Sequence, residues 1–264
     1  MEKQSKSTKP LAPYIGGKRN LAGRIIERIS AIPHEQYAEP FVGMGGVFLR
    51  RPTPAKREII NDLNRDVATF FRILQRHYVA FLDMLRWQLT TRSEFERLLK
   101  VDPETLTDLE RSARFLYLQR LTFGGKVAGR TFGASPGNQA RFDLTKLVPM
   151  LEAAHERLTP VVIECLPWRT FLERYDRKDA LFYLDPPYWG SEKDYGRGLF
   201  GREDFAELAE VLAGIKGRFL LSINDVPAIR ETFARFSMEE LKTTYTVRGG
   251  SHAIAAAELL ISNG

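Results

Sequence analysis

The stretch Ala180-Leu181-Phe182-Tyr183-Leu184-Asp185-Pro186-Pro187-Tyr188 decides how this chain is organised, because a buried strand runs directly into a polar turn. Its first five residues are an apolar run of strand length. The two prolines fix the backbone and carry carbonyl oxygens but no N–H donors, so the turn is a rigid frame of acceptors. The strand end places Asp185 at the edge of a sheet, and Tyr188 offers an aromatic face. The alternative is a proline-rich turn with a capping aspartate.

Strands and helices alternate on both sides of this stretch. Further strands are predicted at 36–42, 57–61, 161–163 and 219–223, with a closing strand pair at 242–247 and 258–262. Helices are predicted at 18–32, from about 65 to 85, across 91–122 with a break near Pro103, at 144–158 and at 203–216, with another start at Asn224-Asp225-Val226-Pro227. This alternation predicts an α/β fold with a mostly parallel sheet covered on both faces. Residues 69–159 are predicted to form a mostly helical insert between two α/β portions, residues 1–68 and 160–264.

Composition limits the class of protein. The 264 residues, 44% of them hydrophobic, suit one domain with a sizeable insert. A single cysteine, Cys165, provides no disulfide framework and favours a reducing, cytoplasmic or nucleoid-associated location. The four histidines lack metal-ligand spacing, and no apolar run could span a bilayer, so neither a metal nor a membrane is expected. The oligomeric state is not indicated.

The net charge of +6 is concentrated in one segment. Residues 111–141 contain six basic side chains and no acidic one: Arg111, Arg114, Arg120, Lys126, Arg130 and Arg141. The segment includes the glycine-rich loop 123–137, which is of a size to enter a DNA groove. A nucleic-acid partner is the functional interpretation, and a solvated basic face is the alternative.

Glycines follow the first predicted strand, in Ala38-Glu39-Pro40-Phe41-Val42-Gly43-Met44-Gly45-Gly46, with a helix expected from about Val47. Glycine lets a backbone turn sharply and approach a ligand closely, and doubly wound sheets hold nucleotide-like ligands at this edge. Asp62 ends the next strand, where an acidic residue accepts hydrogen bonds from ribose hydroxyls. The alternatives are a purely structural turn and, for Asp62, an N-cap of the following helix.

These motifs resemble those of the amino-methyltransferases, most closely the Dam-type (D12 class) adenine-N6 enzymes. That family has, in order, a Tyr/Trp-x-Gly-Gly-Lys segment, an FxGxG turn, a DNA-reading insert and DPPY. This chain has Tyr14-Ile15-Gly16-Gly17-Lys18, then Phe41-Val42-Gly43-Met44-Gly45, the basic insert, and Asp185–Tyr188. The resemblance extends from about residue 11 to 262.

The resemblance implies a Rossmann-like sheet, mostly parallel with an antiparallel C-terminal strand. It also implies transfer of a methyl group from S-adenosylmethionine to N6 of adenine in a specific double-stranded DNA sequence. The implied cofactor residues are Tyr14, Lys18, Pro40, Phe41, Gly43, Gly45, Asp62, Leu63, Leu166 and Asp185, with Lys18 pairing with the cofactor carboxylate. Asp185, Pro186, Pro187 and Tyr188 are the implied catalytic set. Where the family often has Asp-Phe after the strand 161–165, this chain reads Cys165-Leu166-Pro167-Trp168.

The target atom lies inside a duplex, so the base must be flipped out. Arg120, Lys126 and Arg130 are the predicted DNA contacts, either to phosphates or to guanine edges. The loop 189–201 either closes over the flipped base or is an ordinary surface loop. Two other functions stay open: methylation of another amino group, such as cytosine N4, and a catalytically silent DNA-binding protein of the same fold.

Overall fold

The computed structural model describes residues 8–133, 141–194, 198–246 and 253–264. The strands in these ranges are Gln36–Glu39 (β1), Arg57–Asn61 (β2), Val162–Glu164 (β3), Ala180–Leu184 (β4), Arg218–Asn224 (β5), Ser237–Thr246 (β6) and Ala253–Ser262 (β7). They form one sheet in the order β3-β2-β1-β4-β5-β7-β6. Strands β1 to β5 pair in parallel, whereas β7 runs antiparallel to both of its neighbours. The predicted α/β fold with an antiparallel C-terminal strand is confirmed.

The helices are Ala22–Ala31 (α1), Arg65–Arg76 (α2), Tyr78–Leu85 (α3), Arg92–Lys100 (α4), Asp108–Leu121 (α5), Leu144–Leu158 (α6), Trp168–Tyr175 (α7), Asp204–Gly214 (α8) and Pro227–Thr232 (α9). The single long helix predicted after Asp62 is instead two, because His77 leaves the helical region at φ −125°, ψ 35°. The helix expected near Val47 is only a 3-10 turn, Phe48–Arg50. The prediction missed α7.

Apolar residues cover both faces of the sheet. Along β4, Leu181 and Tyr183 join one apolar cluster while Phe182 and Leu184 join the other, as the two-residue period of a strand requires. The first cluster includes residues of α1 to α6, and the second includes residues of α7 to α9. The sheet is therefore a layer between helices, and its carboxyl edge stays open.

The predicted insert, residues 69–159, contains most of α2 and all of α3 to α6. These helices share an apolar cluster with the sheet. Arg157 on α6 also donates to the buried Glu58 on β2, with Nη2 2.8 Å from Oε1. The helices of the predicted insert are thus packed against the sheet. Within the described ranges, no helix combines the length and apolar character needed to cross a bilayer.

Candidate active site

Three predicted motifs meet at the carboxyl edge of the sheet. β1 lies between β2 and β4, so the loops that follow these parallel strands are neighbours. They open into one cavity of about 470 Å³. The residues predicted to bind the cofactor or DNA or to take part in catalysis lie partly in its lining. Those that line it are Tyr14, Lys18, Pro40, Phe41, Gly43, Asp62, Leu63, Arg120, Leu166, Asp185 and Pro187. Gly45, Pro186, Tyr188, Lys126 and Arg130 lie outside this lining.

The glycine turn after β1 has a conformation that requires glycine. Gly43 has φ +50° and Gly45 has φ +70°, in the left-handed region that disfavours other residues. A Cβ at Gly43 would lie 3.0 Å from carbon atoms of the Tyr14 ring, and one at Gly45 would lie 2.8 Å from Cγ of Leu49. The backbone therefore runs directly beneath Tyr14, the first residue of the N-terminal motif.

Asp62 joins the loops after β1 and β2. Its Oδ2 accepts from the Gly43 N–H at 2.9 Å, and its Oδ1 accepts from the Asn64 N–H at 2.9 Å. Helix α2 is capped by Asn64, whose side chain accepts from the Asp66 N–H, so Asp62 is not its N-cap. Burial raises the pKa of Asp62 to about 6, although the two N–H donors oppose the shift.

Asn61 is a site residue that the prediction overlooked. Its side chain donates to the Leu166 carbonyl at 3.0 Å and accepts from the Leu166 N–H at 2.8 Å. It also donates to the Pro40 carbonyl at 2.9 Å. The backbone polar groups of Leu166 are thus already used, so this residue offers the cavity an apolar side chain.

Lys18 is buried among acidic and phenolic oxygens. Its Nζ lies 2.8 Å from Oδ1 of Asp185, 3.0 Å from Oε2 of Glu258 and 2.5 Å from the Tyr188 hydroxyl. The Tyr188 hydroxyl in turn donates to Oε1 of Glu258 at 2.5 Å. Protein groups therefore occupy the ammonium that was predicted to pair with a cofactor carboxylate, and this geometry does not support that pairing.

Asp185 lines the cavity beside this lysine, with 22% of its side chain exposed. Ser222 on β5 donates to its Oδ1 at 3.3 Å. Burial raises the pKa of Asp185 to about 6, and the Lys18 charge opposes the shift. The carboxyl group is consequently ionised at neutral pH and able to accept a hydrogen bond from a molecule in the cavity.

A second carboxyl group, Glu39 at the end of β1, also lines the cavity. It is buried and accepts from the Tyr37 hydroxyl at 2.5 Å. Burial raises its pKa to about 8. The sequence places Glu39 directly before the glycine turn, which was the available signal. Its strand position alone did not separate it from an ordinary buried residue.

The basic segment 111–141 is less exposed than its sequence suggests. Arg111 is buried, with Nε 2.5 Å from Oδ1 of Asp66, and Arg114 is buried and donates to the Leu98 carbonyl at 2.8 Å. Two of the six basic side chains of the segment are therefore used in contacts within the protein.

Two of the three predicted DNA contacts, Arg120 and Arg130, also make hydrogen bonds within the protein. Arg120 donates from Nη1 to the Leu11 carbonyl at 2.6 Å, and from Nε and Nη2 to the Arg141 carbonyl. Arg130 donates to Oε1 of Gln119 at 3.1 Å. Lys126 is exposed. Residues 134–137 of the predicted loop 123–137, and residues 195–197 of the loop 189–201, lie outside the described residues.

The sequence of this chain matches one family model and is similar to several known proteins. Residues 14–247 match the family model described as D12 class N6 adenine-specific DNA methyltransferase. Type II methyltransferase M.CviBI of Paramecium bursaria Chlorella virus NC1A is 22% identical over 239 residues, covering 90% of this chain and 91% of the relative. Type II methyltransferase M1.LlaDCHI of Lactococcus lactis subsp. cremoris is 23% identical over 266 residues, covering 93% and 92%. A DNA N-6-adenine-methyltransferase of Escherichia phage P1 is 25% identical over 282 residues, covering 96% of this chain and 36% of that protein.

Proposed function

Because the chain belongs to the D12 class of N6 adenine-specific DNA methyltransferases, we propose that the turn Asp185–Tyr188 receives an adenine rotated out of a specific double-stranded sequence and holds its N6 amine for methylation. One observation carries the proposal: Asp185 and the glycine turn after β1 line the same cavity. A methyl donor held on the glycine turn would therefore face an amine held by Asp185.

The cavity fits S-adenosylmethionine, the methyl donor of this family. Side chains at Gly43 and Gly45 would clash with Tyr14 and Leu49, so glycine at these positions lets the turn pack closely against both residues. Asp62 would accept hydrogen bonds from the ribose hydroxyls, and Glu39 would pair with the amino group of the methionine part. The remaining lining that we assign to the donor is Tyr14, Pro40, Phe41, Leu63 and Leu166.

S-adenosylmethionine supplies a methyl group on a sulfonium, which is already a strong electrophile. The protein's main contribution is then to align the amine, because correct positioning alone removes much of a barrier between two reactants. Asp185 and the Pro186 carbonyl would each accept a hydrogen bond from the N6 amine of the adenine. The carboxylate would also stabilise positive charge that develops on the nitrogen. Lys18, beside Asp185, favours its ionised form.

A base inside a duplex must leave the stack to reach Asp185. Tyr188 ends the turn, and stacking of its ring on the flipped base would return about 1–3 kcal/mol. Of the predicted DNA contacts, we retain Lys126, which is exposed. Arg120 and Arg130 are assigned instead to holding the insert together. The insert 69–159 is proposed as the DNA-recognition part, and 1–68 with 160–264 as the catalytic part.

The test compares Asp185→Ala with Asp83→Ala, a control in which an exposed aspartate paired with Arg86 is removed. Both proteins are mixed with unmethylated DNA and labelled S-adenosylmethionine, and the product is sequenced with detection of modified bases. Asp185→Ala should lose transfer while retaining the melting temperature and DNA affinity of the control. Undiminished transfer by Asp185→Ala would end the assignment, as would modification at cytosine alone.

A further inference from the structure

Two side chains on neighbouring strands face the segment that follows the Asp185 turn. β5 and β7 pair antiparallel, and Asn224 is the register partner of Glu258. Neither residue belongs to a recognised motif, and β7 is distant in sequence from Asp185. Their pairing places an amide and a carboxylate side by side at the end of β5.

Asn224 holds the backbone of Trp189. Its Oδ1 accepts from the Trp189 N–H at 2.9 Å, and its Nδ2 donates to the Trp189 carbonyl at 3.1 Å. The sequence predicted a helix start at Asn224-Asp225-Val226-Pro227, and the helix that forms there has Val226 at its N-cap position with no side-chain cap. Asn224 therefore serves the loop after β4 rather than the helix.

Glu258 holds the side chain of Tyr188. It is only 1% exposed, and its Oε1 accepts from the Tyr188 hydroxyl at 2.5 Å. Its Oε2 lies 3.0 Å from Nζ of Lys18, the same nitrogen that lies 2.8 Å from Asp185. The Tyr188 hydroxyl and the Lys18 nitrogen thus share one buried carboxyl group.

Together these contacts fix the position of the Tyr188 side chain. Rotation about the Cβ–Cγ bond turns the ring about an axis through the hydroxyl oxygen, so the hydrogen bond fixes where the ring lies, while Nζ of Lys18, 4.4 Å from the ring centroid, contacts its face. Here the hydroxyl is held by Glu258 and the following peptide by Asn224. A ring with one orientation gives an incoming base a fixed stacking surface, so less ordering is needed when the base arrives.

We propose that Glu258 is a positioning residue for methyl transfer, which fixes the Tyr188 ring through its hydroxyl while Asn224 fixes the adjoining backbone. The proposal rests on the proposed role of Tyr188 as the surface for the flipped base. Glu258 acts through Tyr188 and Lys18 and contacts neither the base nor the methyl group.

A double-mutant cycle tests the route through the hydroxyl. The proteins are Glu258→Gln, Tyr188→Phe, the double variant and the control Glu240→Gln, which changes an exposed glutamate on β6 paired with Arg230. Each is assayed for kcat at saturating S-adenosylmethionine on a duplex carrying the mapped sequence context, and for cofactor affinity by titration. Both single variants should lower kcat about tenfold, the loss that corresponds to about 1.4 kcal/mol. The double variant should be no slower than Tyr188→Phe, because Glu258→Gln weakens a hydrogen bond that Tyr188→Phe has already removed.

Cofactor affinity should stay within about twofold in every variant, since Tyr188 lies outside the cavity lining. Effects that multiply to about a hundredfold in the double variant would overturn the proposal. So would an unchanged kcat for Glu258→Gln, or a loss of cofactor affinity as large as the loss of kcat.

Two further variants separate the possible failures. If Glu258→Gln does not fold, Asn224→Asp keeps the acceptor for the Trp189 N–H but loses the donor to its carbonyl, and a lowered kcat is again expected. Tyr188→Ala tests the proposed function itself. Loss of transfer in Tyr188→Ala with a normal Glu258→Gln would refute only the positioning role, whereas wild-type transfer by Tyr188→Ala would refute the stacking role on which it rests.

Discussion

Nζ of Lys18 lies 2.8 Å from Oδ1 of Asp185, although the two residues belong to motifs at opposite ends of the resemblance. The pair balances two opposing effects on the carboxyl group. Burial raises the pKa of Asp185 to about 6, and the ammonium group limits that rise. The lysine therefore controls the pH range in which Asp185 can act as an acceptor.

Lys18→Met should move the acidic limb of the reaction to higher pH. Without the ammonium group, burial acts unopposed by it and the pKa of Asp185 rises further above its ordinary value. The ionised acceptor is then present only at higher pH, so kcat should fall with decreasing pH about one pH unit earlier than in the wild-type protein. Single-turnover transfer rates from pH 5 to 9 measure this shift. Lys18→Arg, which keeps the charge, is the control, and identical limbs in wild type and Lys18→Met would contradict the argument.

We predict that Glu39 releases a proton when the cofactor binds. Burial raises the pKa of this carboxyl to about 8, so it holds a proton at neutral pH in the free protein. A cationic amino group beside it would lower the pKa and expel that proton. Binding should therefore release protons between about pH 5 and 8, and release none above about pH 9, where Glu39 is already ionised.

Calorimetric titration at pH 7 in phosphate and in Tris measures the release, because the two buffers take up protons with different heats. Glu39→Gln should abolish the difference between buffers and weaken binding. Glu35→Gln, at an exposed position paired with Lys56, should leave both unchanged. Equal heats in the two buffers for the wild-type protein would show that the cofactor's cation does not pair with Glu39.

The sequence was sufficient where a residue's role depends on the strand that precedes it. Asp62 and Asp185 each follow a buried strand, and parallel neighbours bring such positions to one edge. Their convergence on a single cavity needed only the order of elements. The turn at Gly43 could also be predicted, because Gly43, Gly45 and Gly46 directly follow a predicted strand.

Long-range pairing was not accessible in the same way. Glu258 reaches Tyr188 only because β7 inserts beside β5 in one particular register, and that register depends on packing across the whole sheet. Charge counts misled for a related reason. Arg111 and Arg114 count as basic residues in the sequence, but Asp66 and the Leu98 carbonyl, which satisfy them, come from other helices or their ends.

Gly43→Ala should impair the cofactor turn. An alanine at φ +50° costs about 1–2 kcal/mol, and its Cβ would lie 3.0 Å from the Tyr14 ring. We expect a lower melting temperature and a cofactor affinity reduced at least tenfold, because Tyr14 must move from the cavity wall. The control is Gly23→Ala in α1, where a Cβ meets nothing within 4 Å. That substitution should stabilise the protein by about 0.5–1 kcal/mol. Unchanged cofactor titration of Gly43→Ala would separate the turn from cofactor binding.

Arg120→Met and Lys126→Met should differ in what they damage. Arg120 donates to the carbonyls of Leu11 and Arg141, which join the N-terminal segment to the insert. Its loss leaves two partly buried acceptors unpaired, at about 1–3 kcal/mol each, so the melting temperature should fall. Lys126 is exposed, and its loss should leave the melting temperature unchanged.

Salt dependence separates the two variants on DNA. If Lys126 contacts a phosphate, Lys126→Met should weaken binding and reduce the slope of log K against log salt by about 0.9, since one counterion fewer is released. Arg120→Met, assayed at a temperature where it is folded, should retain the wild-type slope because the Arg120 guanidinium already donates to the carbonyls of Leu11 and Arg141. Lys178→Met, at an exposed position between α7 and β4, is the control for a surface charge outside the insert. A reduced slope for Arg120→Met with an unaltered slope for Lys126→Met would reverse the assignment and return DNA binding to the arginine.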